Sequence, residues 1–175
     1  ISVLGSEFPI ISDNFDQVFS PETAYQMTSI LEGVVQRGTA RKLKDLNLDI
    51  AGKTGTTNNN TDTWFVGFTS KLVIGIYVGL DDPKTLGKNE TGARTAMPIF
   101  KSFVKKAINK KDARPFKVAE NITMMVVNRQ TGKKADINSK DTIVEVFKNN
   151  QNKNLEIENL DINNRLKNNN ILKFY

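Results

Sequence analysis

Apolar residues recur along this chain with two different periods. Ala24, Met27, Leu31, Val34 and Val35 follow one another at three- and four-residue intervals, the spacing that lines up side chains on one face of a helix. Ser20-Pro21-Glu22 stands just before them: a hydroxyl to cap, a proline for the first helical position and an acid for the first turn. These signals predict a helix over 20–38 that stops at Gly38. The period then shortens to that of strands over 49–57 and 63–69, on either side of the polar loop Asn58-Asn59-Asn60-Thr61-Asp62. A third strand is predicted over 72–80. Its nearly unbroken apolar character suggests a central place in the sheet. Short connections between successive strands predict an antiparallel meander. Asp81-Asp82-Pro83 ends it, and a loop with Gly87 and Gly92 follows. The helical period returns over 95–110, with Thr95 as expected cap and Pro98 in the first turn. Met97, Phe100, Phe103, Val104 and Ile108 form its apolar stripe. Residues 1–113 thus read as the main α+β part, a sheet flanked by helices.

The rest has a different texture. Strands over 122–128 and 142–147, with a turn at Arg129-Gln130-Thr131-Gly132, predict a small β extension within 114–148. Residues 149–170 hold ten asparagines. A stretch with so little apolar surface is expected to be a flexible tail, 149–175.

Composition narrows the chemistry. The 175 residues include no cysteine and no histidine, which removes disulfides, thiol or imidazole catalysis and the usual zinc sites. No metal or cofactor is expected. The longest apolar run, Leu72–Leu80, is too short for a membrane-spanning helix, which needs about 20 residues. The chain opens on Ile1 without a signal-like segment, so a piece of a longer protein is expected, with any membrane anchor upstream. The net charge of +6 is concentrated in residues 101–117, where seven basic residues face one acid. The patch reads first as a solvated helix face. It lacks interleaved aromatics, and no nucleic-acid partner is expected.

The densest chemistry lies in Lys53-Thr54-Gly55-Thr56-Thr57. Gly52-Lys53-Thr54 fails as a phosphate loop, because that motif needs a glycine at position 47, which is Asn47, and a helix after the lysine. On a strand, Thr54 and Thr56 share one face, Lys53 and Gly55 the other. Two hydroxyls beside an ammonium suit a carboxylate. A glycine lets a substrate backbone approach, and strand N–H groups can pair with an extended peptide or an oxyanion. Trp64, Phe65 and Gly67 read as packing of the neighbouring strand.

Longer blocks sharpen this reading: "SPETAYQMTSILEGVVQRGTARKL", "AGKTGTTNNNTDTWFVGFTSKLVIGIYVGLDDPKTLG" and "TGARTAMPIFKSFVKKAI". They resemble the C-terminal portion of the transpeptidase domain of class A penicillin-binding proteins, of the 1A type, in which Lys-Thr-Gly is the third motif after Ser-x-x-Lys and Ser-x-Asn. The resemblance implies a truncated penicillin-recognising fold, mainly antiparallel sheet flanked by helices. It implies D,D-transpeptidation on peptidoglycan stem peptides ending in D-Ala-D-Ala, with β-lactams as mimics. Lipid II would be the substrate of a glycosyltransferase elsewhere in such a bifunctional protein, on the outer face of the bacterial cytoplasmic membrane. By the same resemblance Lys53 supplies positive field and proton relay. Thr54, Gly55, Thr56 and Thr57 line the substrate, and the Thr56 N–H is half of an oxyanion hole.

Two tempting partners read as chance matches. Ser102-Phe103-Val104-Lys105 fits Ser-x-x-Lys but follows the third motif, whereas the family's nucleophile precedes it. Ser12-Asp13-Asn14 fits Ser-x-Asn, but only 38 residues separate Asn14 from Lys53. The attacking serine is therefore expected from an upstream part of the same protein, leaving this chain alone inactive. Two alternatives stay open: a serine β-lactamase-like hydrolase, and a non-catalytic fragment that binds cell-wall peptide.

Overall fold

A computed structural model describes residues 16–109, 111 and 113–149. The first helix, α1, spans Pro21–Gln36. Ser20 caps it as expected: its Oγ accepts from the Thr23 N–H at 3.3 Å. The helix ends at Gln36, two residues before the expected stop, and Gly38 lets the chain turn closely over the last turn, because a Cβ there would lie 2.9 Å from the Val34 Cα and carbonyl oxygen. A six-residue 3₁₀ segment that the periodicity does not announce then runs over Arg41–Leu46. It buries Leu43 and Leu46 and ends on Asn47 in the left-handed conformation.

Three strands follow: β1 (Ala51–Thr56), β2 (Thr63–Phe68) and β3 (Val73–Val78). They pair antiparallel in chain order, β1-β2-β3. This corrects the expected central place of the third strand. The meander puts β2 in the middle, and β3 lies at an edge of the described sheet. Its apolar residues divide between two faces: Ile74 and Ile76 pack on the core, while Val73 and Tyr77 are exposed.

The second helix, α2 (Ala96–Ala107), buries Ala96, Met97, Phe100 and Val104. Thr95 does not cap it. That residue has helical backbone angles, and its hydroxyl bonds the Glu90 carboxylate instead. The helix start is held by the Met97 N–H donating to the Gly92 carbonyl at 2.8 Å. The core joins both helices, the 3₁₀ turn and one sheet face through Val35, Leu43, Ile50, Phe65, Met97 and Phe100. At its centre Phe65 meets Phe100 edge to face, with centroids 4.7 Å apart. Gly67 makes room for that pair, since a Cβ there would fall 2.7 Å from Phe65.

Strands β4 (Ile122–Asn128) and β5 (Thr142–Lys148) form a separate antiparallel hairpin. It leans on α1 through Gln26 Nε2 donating to the Val146 carbonyl at 3.0 Å, Lys148 Nζ to Thr23 Oγ1 at 2.6 Å, and an Arg37–Glu145 ion pair. The Asn-rich tail lies outside the described residues, apart from Asn149, whose N–H donates to the Asn121 carbonyl. No helix among the described residues is long and apolar enough to cross a membrane.

Candidate active site

Strand register decides which way the lysine cluster faces. Thr54 stands opposite Phe65 and Thr56 opposite Thr63, both buried residues of the helix-covered face. Lys53 stands opposite Val66 and Gly55 opposite Trp64, on the open face. The two threonines and the lysine therefore project to opposite faces of one strand, as the two-residue period requires. β1 is an outer strand of the described sheet, so one long edge of its backbone carries no strand partner there. Lys53 and Thr56 are exposed, and Thr54 and Gly55 half-buried.

Each side chain is held differently. Lys53 folds back along the strand, and its Nζ donates to the Thr54 carbonyl at 3.0 Å. Thr54 Oγ1 lies 3.3 Å from Thr39 Oγ1, just beyond the end of α1. Thr56 Oγ1 accepts from the Gly92 N–H at 3.0 Å. Thr57 is engaged within its own turn. Its hydroxyl accepts from the Asp62 N–H at 2.8 Å and lies 2.7 Å from Thr61 Oγ1. Gly55 has a packing reason beside the substrate reading, since a Cβ there would sit 3.1 Å from the Trp64 Cβ.

The loop after β1 is pinned at several points. Asp62 accepts from the Tyr77 hydroxyl at 2.8 Å and from Thr61 at 2.9 Å. The Tyr77 bond first, then those of Thr61 and Thr57, hold its carboxyl below the usual carboxylate range. The Leu86 N–H donates to the Asn60 carbonyl, and Asn60 Nδ2 to the Gly87 carbonyl, which joins this loop to the next. Trp64 does not enter the core. It packs on Tyr77 at 4.8 Å on the open face, beside exposed Val66.

The sequence pattern marks Lys53 to Thr57 but gives no sign of Thr39, and it gives Gly92 only as a loop glycine. Both act at a distance in sequence, Gly92 through its backbone. Ser102 sits on the exposed side of α2, away from the buried stripe that faces the sheet. Ser12-Asp13-Asn14 lies outside the described residues. Two concavities, one between the end of α2 and the β2–β3 turn and one between α1 and residues 116–121, are lined by none of residues 53–57. No group of three or more acidic side chains that could hold a metal occurs among the described residues.

A mixed fold with Lys-Thr-Gly-Thr on an outer antiparallel strand defines a penicillin-recognising class. Residues 14–105 match the penicillin binding protein transpeptidase domain, and the chain belongs to that family. It is similar to penicillin-binding protein 1A of Rickettsia bellii, 44% identical over 139 residues that make up 79% of this chain and 17% of the relative. The like-named protein of Pseudomonas aeruginosa is 37% identical over 135 residues, 77% of this chain and 16% of that one. The crystal structure of penicillin-binding protein 1A from Haemophilus influenzae superposes with a TM-score of 0.66 at 32% identity, covering 74% of this chain and 20% of that one. The chain thus spans a fifth or less of the length of these relatives.

Proposed function

We propose that this chain carries the carboxylate-binding half of a D,D-transpeptidase site within a longer peptidoglycan-synthesising protein. The observation that carries the reading is Lys53-Thr54-Gly55-Thr56 on an outer strand, with Lys53 and Thr56 exposed, inside a transpeptidase-family domain. An extended stem peptide pairs along the unpartnered edge of β1 by backbone hydrogen bonds. Its terminal carboxylate accepts hydrogen bonds from the hydroxyls of Thr54 and Thr56, and the Lys53 ammonium adds positive field. The Thr56 N–H supplies one oxyanion donor, worth about 3–4 kcal/mol of transition-state stabilisation in serine acyl transfer. β-Lactams occupy the same edge. Thr57 completes the lining by fixing the turn that follows.

The attacking serine and its lysine come from another part of the same protein. The one Ser-x-x-Lys in this chain, Ser102 to Lys105, sits on α2 with Ser102 exposed. The whole protein acts on the outer face of the cytoplasmic membrane, held by an anchor outside this chain, and also polymerises lipid II. The isolated chain binds stem peptide without turning it over. Loss of a nucleophile leaves such sites only weak residual catalysis.

Fluorescent penicillin separates these statements. It labels the whole protein covalently and leaves the 175-residue chain unlabelled. Covalent labelling of the isolated chain overturns the half-site reading. In the whole protein Lys53→Ala slows acylation by at least an order of magnitude; an unchanged rate removes Lys53 from the mechanism.

A further inference from the structure

We propose that Gly92 is a positioning residue for the carboxylate-binding strand, acting through the hydroxyl of Thr56. The inference rests on the reading of residues 53–56 as an anion site. A threonine hydroxyl has one proton to give and two lone pairs to receive with. The Gly92 N–H occupies one of those lone pairs at 3.0 Å. The proton of exposed Thr56 is left to point elsewhere, toward the solvent side where an anion arrives. A hydroxyl already accepting a hydrogen bond is also a stronger donor, because linked hydrogen bonds polarise one another.

Gly92 is suited to this work by what it lacks. A Cβ at residue 92 would lie 2.3 Å from the Trp64 carbonyl oxygen, 2.6 Å from that of Gly55 and 3.1 Å from the Gly55 nitrogen. All three are backbone atoms of the β1–β2 ladder and cannot swing aside as a side chain would. Any other residue lifts the loop off the strand and withdraws the N–H from Thr56. The carbonyl side of the same residue is anchored as well. The Gly92 carbonyl accepts from Met97 N–H at 2.8 Å, and Met97 is buried in the core as part of α2. The Thr91 carbonyl accepts from the Arg94 and Thr95 N–H groups, which closes the loop on itself. The chain of contacts therefore runs from the packed helix, through Gly92, to the Thr56 hydroxyl. The rotamer of a substrate-binding group is referenced to the core and not to a surface loop.

The test uses the 175-residue chain and two probes, N-acetyl-D-alanyl-D-alanine and its C-terminal amide. The wild type binds the acid more tightly than the amide. Gly92→Ala weakens acid binding by roughly three- to tenfold, the range of one neutral hydrogen bond, and leaves amide binding unchanged. If Gly92→Ala does not fold, the wild-type Gly92 amide resonance decides. On titration with the acid it moves downfield as Thr56 donates to the carboxylate, and with the amide it stays in place. Thr56→Val abolishes that movement. Wild-type chain that binds the acid while Gly92→Ala retains its preference, or while the Gly92 resonance stays still, overturns the role of Gly92 alone. Wild-type chain that does not distinguish acid from amide overturns the anion site and this inference with it.

Discussion

Two polar residues beside the site carry opposite costs. Thr63 is fully buried opposite Thr56, and its Oγ1 has no hydrogen-bond partner among the described residues. An unpaired buried hydroxyl weighs against folding, and replacing it by an apolar group of the same shape removes that weight. Thr63→Val is expected to leave stability unchanged or raise it by up to about 1 kcal/mol in denaturant unfolding. A clear loss would mean that the hydroxyl has a partner in solution. Asp62 is the reverse case, a carboxylate supplied with donors by Tyr77, Thr61 and Thr57. Its folded-state pKa lies below the usual value. The stability it adds is therefore fully present above the ordinary carboxylate pKa and is lost as pH falls through the depressed one. Asp62→Asn is expected to be less stable than wild type at neutral pH, with the gap closing on acidification. Thermal melts across that range check it, and a gap independent of pH contradicts it. Neither residue stands out in the sequence: Thr63 reads as one more strand threonine and Asp62 as one more loop acid.

At the scale of elements, what the sequence made legible follows periodicity. The helix of Pro21–Gln36 and the three strands declare themselves through spacing, capping and turn residues, because each is a local pattern. The 3₁₀ turn at Arg41–Leu46 does not, since Leu43 and Leu46 are too few to set a period. The place of the third strand was also not readable from its apolar run. Apolar character reports that both faces meet something, or stand open, but not how many strands lie alongside. Packing across elements converges on Phe65 and Phe100. Phe65→Ala is expected to cost about 3–5 kcal/mol, because a cavity would open between β2 and α2 where neither can collapse. An effect below 1 kcal/mol would show that this contact does not organise the core. Thr95 shows the limit of a local signal. The residue type fits a cap, yet Glu90 takes its hydroxyl and the Gly92 carbonyl takes over the helix start.

For the whole molecule, two layers are uneven. One sheet face is covered by both helices, and the other exposes Trp64, Val66, Val73 and Tyr77. Residues 1–100 carry a net charge of −2, so the +6 of residues 101–117 is a local feature of the end of α2 and the segment after it. Lys101 within it is partly spoken for, pairing with Asp45 at 2.9 Å. The hairpin of β4 and β5 lies beyond the residues matched by the transpeptidase family and leans on α1, which leads into the site through Thr39. The lysine-threonine cluster was legible because it is contiguous on one strand. Thr39 and Gly92 were not, since only the fold brings positions 39 and 92 to a strand at 51–56. The proposed function requires that strand to grip a terminal carboxylate. Amide shifts of the labelled chain, recorded as N-acetyl-D-alanyl-D-alanine is added, test it most directly. Changes concentrated at Lys53 to Thr57, and clearly larger with the acid than with its C-terminal amide, are the predicted result; no change there, or equal changes with both compounds, would contradict it.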